Sequence, residues 1–246
     1  MNDALVLAFL FFAGSLLGWL LEFFFRNLIS HNGPHGLLFI NPGFCKGPYL
    51  PIYGIGLCLM FVVSIVGEKV FFWHQTVLII LTIGICMTAV EFFGGLFMLR
   101  FMNIRLWDYR NEKLNIMGII CPLFSLIWTA LGAMYYLIVH KYALSGIYWL
   151  ANNLSFSFFI GLFFGVFIMD FAGSSAYGLI IKKFGDEHDV VVKYEELKLL
   201  LIKKNDEDKI NFWNQFRIEH RRASEFLENF EHLTEKKIEV FKKKAK

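Results

Sequence analysis

The chain has 246 residues, of which 57% are hydrophobic and 29 are Phe. Soluble domains are about 45–50% apolar, so this composition excludes an ordinary soluble protein and predicts a polytopic membrane protein. The net charge of +3 is too small to indicate a nucleic-acid partner. The four cysteines form no CxxC pair and the seven histidines form no HExxH motif. We therefore expect no disulfide framework, no metal site and no cofactor.

The first predicted span runs from about Ala4 to Phe25. No Lys or Arg precedes it, which favours a retained span over a cleaved signal peptide. Glu22 and Arg26 lie four residues apart near its end, a spacing that favours an ion pair within the helix. The alternative is that Glu22 reaches towards the lipid headgroups at the end of the span.

A segment rich in proline and glycine, Asn41 to Gly56, leads into the second predicted span at about Leu50 to Phe72. It holds three of the five prolines, together with Lys46 and Tyr53. Proline lacks an N–H and fixes φ, so we expect no ordinary helix before Pro51. The segment is either a stiff turn between helices or a loop that binds a ligand or partner.

The third predicted span, about Val77 to Leu99, contains Glu91 about two turns inside it. Thr88 and Gly95 share its helical face. An ionisable group at this depth is costly and usually faces the bundle interior or water, so Glu91 is a candidate functional residue. The alternative is a structural partner for a basic residue elsewhere.

The following loop, from Arg100 to about Asn115, carries four basic residues and the run Leu106 to Arg110. Trp107 and Tyr109 suit a membrane interface. Asp108 lies between them and has three interpretations: it caps a short helix, pairs with an Arg, or contacts a ligand, and the first two are the commoner fates.

The fourth predicted span is about Ile116 to Val139, with a kink at Pro122. A loop is expected from His140 to about Ser155. In the fifth predicted span, about Phe156 to Ile181, Gly161 and Gly165 are spaced for close helix packing.

Asp170 lies near the middle of the fifth span and is the second deep carboxylate. Residues 184–246 then contain 14 Lys or Arg and 14 Asp or Glu, a solvated composition. From about Ile210 the apolar spacing predicts an amphipathic helix, which would dock on a partner, on a second copy or on its own membrane domain. The chain therefore divides into a membrane domain, 1–183, and a charged helical tail, 184–246.

Charge asymmetry predicts the orientation. The N-terminus and loops two and four carry only Lys69 and Lys141 between the spans, whereas loops one and three and the root of the tail carry eight basic residues. By the positive-inside rule we expect a multi-pass cell-membrane protein with its N-terminus outside and its tail cytoplasmic. The fold class is thus an all-α bundle of about five transmembrane helices with a cytoplasmic amphipathic tail. A cytoplasmic polar funnel with Glu91 and Asp170 at its floor is compatible with this topology.

Several motifs, over roughly residues 5 to 140, together resemble the ABC-transporter type IV (CmpB-like) membrane proteins of bacteria. They are Gly18-Trp19 with Glu22, Asn41 to Gly56, Glu91 with Gly95, Trp107-Asp108-Tyr109, and Asn115 with Gly118, Cys121 and Trp128. The resemblance implies a permease, although the sequence lacks a GxxxxGK[ST] phosphate loop. The chain has Leu99 where the family usually has a second Glu, and Ile119 where it usually has an Arg. Because the two losses are of opposite charge, we hypothesise that the missing residues are partners in other members.

These observations favour a transport-related subunit embedded in the lipid bilayer, which would need a separate ATPase subunit or a second copy of itself. The alternatives are a membrane scaffold that regulates through its tail and a membrane-embedded enzyme acting on a lipid-linked substrate. No catalytic residue is assigned. The candidate substrate-binding or functional residues are Glu22, Arg26, Lys46, Tyr53, Glu91, Trp107, Asp108, Asn115 and Asp170.

Overall fold

The computed structural model describes residues 2–28, 41–71, 75–188, 191–194 and 197–198. Within these residues the regular structure is helical apart from one pair of two-residue strands and an isolated bridge between Ile116 and Ile120. A π-helical turn, Tyr135–Val139, joins the helix Pro122–Met134 to the helix His140–Asn152, and a 3-10 turn, Leu154–Phe156, precedes the last helix. The helices are α1 (Asp3–Leu28), α2 (Pro51–Val70), α3 (Gln75–Met102), α4 (Pro122–Met134), α5 (His140–Asn152) and α6 (Ser157–His188).

Five stretches are long and apolar enough to cross a membrane, because α4, the π turn and α5 form one continuous helix. Large apolar side chains such as Phe93, Leu126 and Met169 point outwards from them. Such a surface suits lipid and would be unfavourable in water. The predicted all-α fold with five spans is therefore confirmed, while the predicted amphipathic helix of the tail lies outside the described residues.

The start of the fourth span was predicted wrongly. The helix begins at Pro122 instead of Ile116, so Pro122 occupies the first turn and does not kink the helix. Proline is tolerated there because the first helical N–H groups have no partner within the helix. Before it, Leu114, Met117 and Gly118 have φ of 56°, 56° and 66°, which no right-handed helix can accommodate.

The end of the fourth span was also predicted wrongly. The expected loop from His140 to Ser155 is helix α5 as far as Asn152. His140 is buried, and its Nδ1 lies 3.1 Å from the hydroxyl of Tyr135. The His140-Lys141 pair marked a span end in the sequence, but the imidazole is buried in the bundle, with its Nε2 3.7 Å from Glu68 Oε1, and the helix continues.

Helices α1 and α2 pack closely because each carries a glycine at the contact. A Cβ on Gly18 would overlap the Tyr53 side chain, and a Cβ on Gly54 would overlap Ser15. The corresponding prediction for α6 is not met among the described residues, since a Cβ on Gly161 or Gly165 would find none of their atoms within 4 Å.

Loop one (residues 41–50), loop three (103–121) and the segment after α6 meet at one end of the bundle. Strand β1 (Ile104–Arg105) pairs in parallel with β2 (Val192–Lys193). Beneath this pair, Phe44 of loop one packs with Met102, Tyr177 and Ile181 in a buried apolar cluster. This arrangement agrees with the alternation of loops that five spans require.

Candidate functional site

Asp170 of α6 holds loop one. Its carboxylate accepts hydrogen bonds from the backbone N–H of Lys46 (3.2 Å) and Gly47 (2.8 Å) and from the phenol of Tyr49. The Ser174 hydroxyl lies 3.3 Å from the same carboxylate. The prolines keep this loop out of helical geometry, so its N–H groups need partners from elsewhere.

Asn41 fixes the shape of loop one from within. Its Oδ1 accepts from the Trp19 indole (2.9 Å) and from the N–H of Gly43 (3.1 Å). Its Nδ2 donates to the carbonyls of Cys45 (3.0 Å) and Lys46 (2.9 Å). An amide has two donors and one acceptor oxygen, so Asn41 is fully engaged and ties α1 to the loop.

Two residues after α6 cover loop one. Lys198 is only 4% exposed, and its Nζ donates to the carbonyls of Asn41 (3.0 Å) and Gly43 (2.7 Å). The Tyr194 hydroxyl donates to the Phe44 carbonyl (3.3 Å), and the Lys198 ammonium lies 4.5 Å from the Tyr194 ring centroid. Sequence reasoning missed both residues, because nothing local separates Lys198 from the other lysines of a charged tail.

The titratable neighbours of Asp170 in loop one stay neutral. Burial, assisted by the charge of Asp170, raises the pKa of Cys45 to about 12. Burial and then the hydrogen bond to Asp170 also raise the pKa of Tyr49. At neutral pH Tyr49 is therefore a donor and Cys45 is a thiol, not a nucleophilic thiolate.

Glu91 of α3 is the centre of a second group, the Glu91 cluster. It is 3% exposed, and its Oε1 accepts a hydrogen bond from Tyr109 of loop three (2.9 Å). The Tyr109 ring stacks on Phe124 of α4 with centroids 4.2 Å apart. The Trp128 side chain lies close to the same carboxylate. Its other oxygen, Oε2, is buried without a hydrogen-bond partner among the described residues.

Glu22 is linked to the Glu91 cluster through Tyr53 of α2. Its Oε2 accepts from the Tyr53 hydroxyl (2.8 Å), and the Tyr53 ring lies 5.5 Å from that of Trp128. Burial, followed by the charge of Glu91, raises the pKa of Tyr109, and the charge of Glu22 adds to this. The predicted pairing of Glu22 with Arg26 depends on a side chain outside those that the structure describes.

Asp108 forms a third group, the Asp108 cluster, with three basic side chains. Arg110 binds both of its oxygens (2.9 and 2.8 Å), Lys193 of β2 approaches to 3.0 Å, and Arg105 lies at 3.9 Å. Burial alone would raise the pKa of Asp108, but the hydrogen bonds from Arg110 and Lys193 outweigh it and hold the pKa well below its usual range. Of the three interpretations of Asp108, the structure shows the second, pairing with an Arg.

Asn115 and Trp107 shape loop three. Asn115 donates to the carbonyls of Arg110 (3.2 Å) and Glu112 (2.8 Å) and accepts from the N–H of Gly118 (3.0 Å). The Trp107 indole donates to the Ile119 carbonyl (2.9 Å). Both polar groups are thus hydrogen-bonded inside the protein, and the position of Trp107 at a membrane interface stays a prediction.

The profile of the family described as "Putative ABC-transporter type IV" matches residues 9–175. The chain belongs to this family. The match includes Glu22, Glu91, Asp108 and Asp170, and it reaches further than the resemblance over residues 5 to 140, which had left most of the fifth span outside. Comparisons with curated proteins and with solved structures found no match.

In this ABC-transporter-type protein the two deep carboxylates belong to different clusters. Glu91 contacts loop three, whereas Asp170 contacts loop one. Besides burial, the charges of Glu91 and Glu22 both raise the pKa of Tyr109. Glu91 and Asp170, the predicted floor of the funnel, contact different loops, and the funnel itself stays a prediction.

Leu99 and Ile119, the two positions at which we expected a departure from the family pattern, line the same small cavity, together with Gly95, Arg105 and Trp107. This proximity is compatible with the hypothesis of lost partners, which stays a hypothesis.

Proposed function

We propose that this chain is the permease-like membrane subunit of an ABC-type transport system and that a separate subunit hydrolyses ATP. Its family and its five spans support this function. The sequence contains no GxxxxGK[ST] loop to hold the phosphates, so a P-loop ATPase would be another chain. Five spans are few for a complete transporter, and we expect the subunit to work with that ATPase, with a second copy of itself, or with both.

The main support for this proposal is the buried position of Glu91 within a span. A buried carboxylate inside a span is unfavourable unless it is paired or used, and only one of its two oxygens has a hydrogen-bond donor among the described residues. The second oxygen is available for a proton, a cation or the N–H or O–H of a polar substrate. The Tyr109 hydroxyl donates to Glu91, and the Tyr53 hydroxyl donates to a further carboxylate, that of Glu22.

The remaining candidate residues then have supporting roles. Asp170 and the backbone of Lys46 hold loop one against α6, and Asn115, Trp107 and Asp108 give loop three its shape. We place both loops at the cytoplasmic face, with the N-terminus outside, because the basic residues concentrate there. A cytoplasmic position is also where an ATPase would reach them.

The test compares two Glu-to-Gln substitutions of equal chemistry. Glu91→Gln should reduce the ATP hydrolysis of the captured native complex by at least roughly tenfold, about 1.4 kcal/mol in activation free energy. Glu68→Gln is the matched control, because its side chain is 40% exposed and lies beside His140, away from the Glu91 cluster. It should retain activity within about twofold. Normal activity of Glu91→Gln at wild-type expression would exclude a transport role for this carboxylate.

A further inference from the structure

Five residues after α6 contact both loop one and loop three. On the loop-three side, the N–H of Val192 donates to the carbonyl of Asn103 (3.1 Å). Lys193 lies 3.0 Å from the carboxylate of Asp108. This side of the contact is short, because the parallel pairing with β1 includes only two residues of each strand. We call the five residues the clasp; they are Val192, Lys193, Tyr194, Leu197 and Lys198.

The loop-one side of the clasp depends on a buried lysine. The Nζ of Lys198 donates to the carbonyls of Asn41 (3.0 Å) and Gly43 (2.7 Å). Taking an ammonium group out of water is costly, and these hydrogen bonds offset that cost. When the lysine leaves, the ammonium and the carbonyls both regain hydrogen bonds to water, so the exchange is close to neutral. The polar part of this contact therefore opposes release only weakly.

Three apolar side chains of the clasp favour the closed state. Val192, Tyr194 and Leu197 are all buried and belong to the apolar cluster that contains Phe44 of loop one. Their burial stabilises the closed position. The clasp is thus held by a small apolar contact and by polar bonds that water can replace. A segment with few buried contacts opens locally at a lower free energy than the whole domain unfolds.

Cys45 of loop one is buried against the clasp. It is 1% exposed and belongs to the same apolar cluster as Leu197. Burial, followed by the charge of Asp170, raises the pKa of its thiol, and the charge of Lys198 opposes them, so the ammonium lies close to the thiol. Opening of the clasp would return this thiol to water and make it reactive.

We propose that the clasp opens as one unit, which releases loops one and three together and exposes Cys45 while the five spans stay folded. Residues 199–246 follow directly on Lys198, so a partner that pulls on the tail acts first on the clasp. The clasp is a conformational device through which the tail controls both loops. It goes beyond the proposed transport function and does not depend on it, because every contact that forms it lies within the chain.

Thiol labelling of the purified full chain in neutral detergent tests the opening, with each modified cysteine quantified by mass spectrometry of its peptide. Cys121 is the internal reference, since it is also buried but lies close to Tyr109 of the Glu91 cluster. In the wild type Cys45 should react at least roughly tenfold faster than Cys121, because local opening exposes only Cys45. Equal rates would show that the clasp does not open apart from the bundle and would overturn the proposal.

Lys198→Met tests the lysine, because it keeps the chain length and leaves two loop-one carbonyls without this donor. It should accelerate labelling of Cys45 by at least roughly fivefold and leave Cys121 unchanged. Lys183→Met is the matched control, since the Lys183 side chain is 80% exposed on α6, and it should change neither rate. Equal acceleration of both cysteines would mean that the whole bundle is loosened, which contradicts a local clasp, as would an unchanged Cys45 rate.

Lys193→Met distinguishes one moving unit from two independent contacts. Lys193 contacts loop three, whereas the reporter Cys45 lies in loop one. If the clasp opens as a unit, this variant should also accelerate Cys45 labelling, by roughly twofold or more. An unchanged Cys45 rate would show two separate contacts and overturn the proposal. This variant and the wild-type ratio decide the outcome if Lys198→Met yields no folded protein.

Discussion

Asp108 gives the clearest prediction at the scale of a single residue. Its pKa is lower in the folded protein than in the unfolded chain, so the stability it contributes is present above roughly pH 4 and is lost as the pH falls further. We expect the Tm of the detergent-solubilised protein to fall between about pH 5 and pH 3, and Asp108→Asn to remove part of that dependence.

The control for this measurement is Asp3→Asn, an exposed carboxylate in the first turn of α1 and outside the Asp108 cluster. Comparing it with Asp108→Asn isolates the part of the pH dependence that depends on Arg110 and Lys193. Parallel curves for wild type and Asp108→Asn would mean that the ion pairs to Arg110 and Lys193 contribute no stability in solution.

Residues differ in how far the sequence alone reveals their role. Glu91 stands out because a carboxylate inside a long apolar run has few structural explanations. The pairing of Asp108 with an Arg was among its expected fates, since Arg110 is two residues away. Lys198 and Tyr194 could not be found in this way, because their burial depends on contacts with loop one that are remote in sequence.

At the scale of the helices, we predict that a substitution at Gly18, in the contact between α1 and α2, is costly, whereas the same substitution at Gly161 on α6 is not. Gly18→Ala should destabilise the protein by about 1–3 kcal/mol, because the new methyl group overlaps Tyr53 in a packed interface. Gly161→Ala on α6 is the matched control and should be neutral or stabilising, since its Cβ meets nothing within 4 Å. Unfolding in detergent measures both, and equal stability of the two variants would show that the α1–α2 contact is looser than described.

The second prediction at this scale concerns charged substitutions in the small cavity between α3 and loop three. Leu99→Glu or Ile119→Arg alone places one new charge in this small cavity, which Arg105 also lines. Ile119→Arg adds a second cation there and should cost the more, about 3–5 kcal/mol. The double variant places both charges on one cavity and should recover most of that loss. Folded yield and Tm measure this recovery, and a double variant no better than the worse single variant would rule out the pairing.

The hydrophobic pattern predicted how many helices span the membrane, but it predicted less well the residues at which they begin and end. The long apolar runs specify five spans, because a bilayer requires about 20 such residues. The start of α4 depends instead on three left-handed residues and on the bonds of Asn115, which no apolar pattern records. Its continuation into α5 buries His140 in the bundle beside the Tyr135 hydroxyl, a contact that the apolar pattern does not show either.

For the molecule as a whole, the alternation of spans correctly placed loops one and three and the start of the tail at one end. The pairing of β1 with β2 and the cover of Tyr194 and Lys198 over loop one go beyond that alternation. They join loop one, loop three and the segment after α6 into one connected structure at this end of the bundle. Under the proposed function, this end is where we expect the ATPase subunit to bind.

The most direct test of the proposed function is the composition of the native complex. The tagged full-length chain would be captured from gently solubilised native membranes, and its stoichiometric partners would be identified by mass spectrometry. We predict a co-purifying nucleotide-binding subunit and ATP hydrolysis by the captured complex. A stable complex without any nucleotide-binding protein, and without ATP hydrolysis, would contradict the assignment as a permease-like subunit.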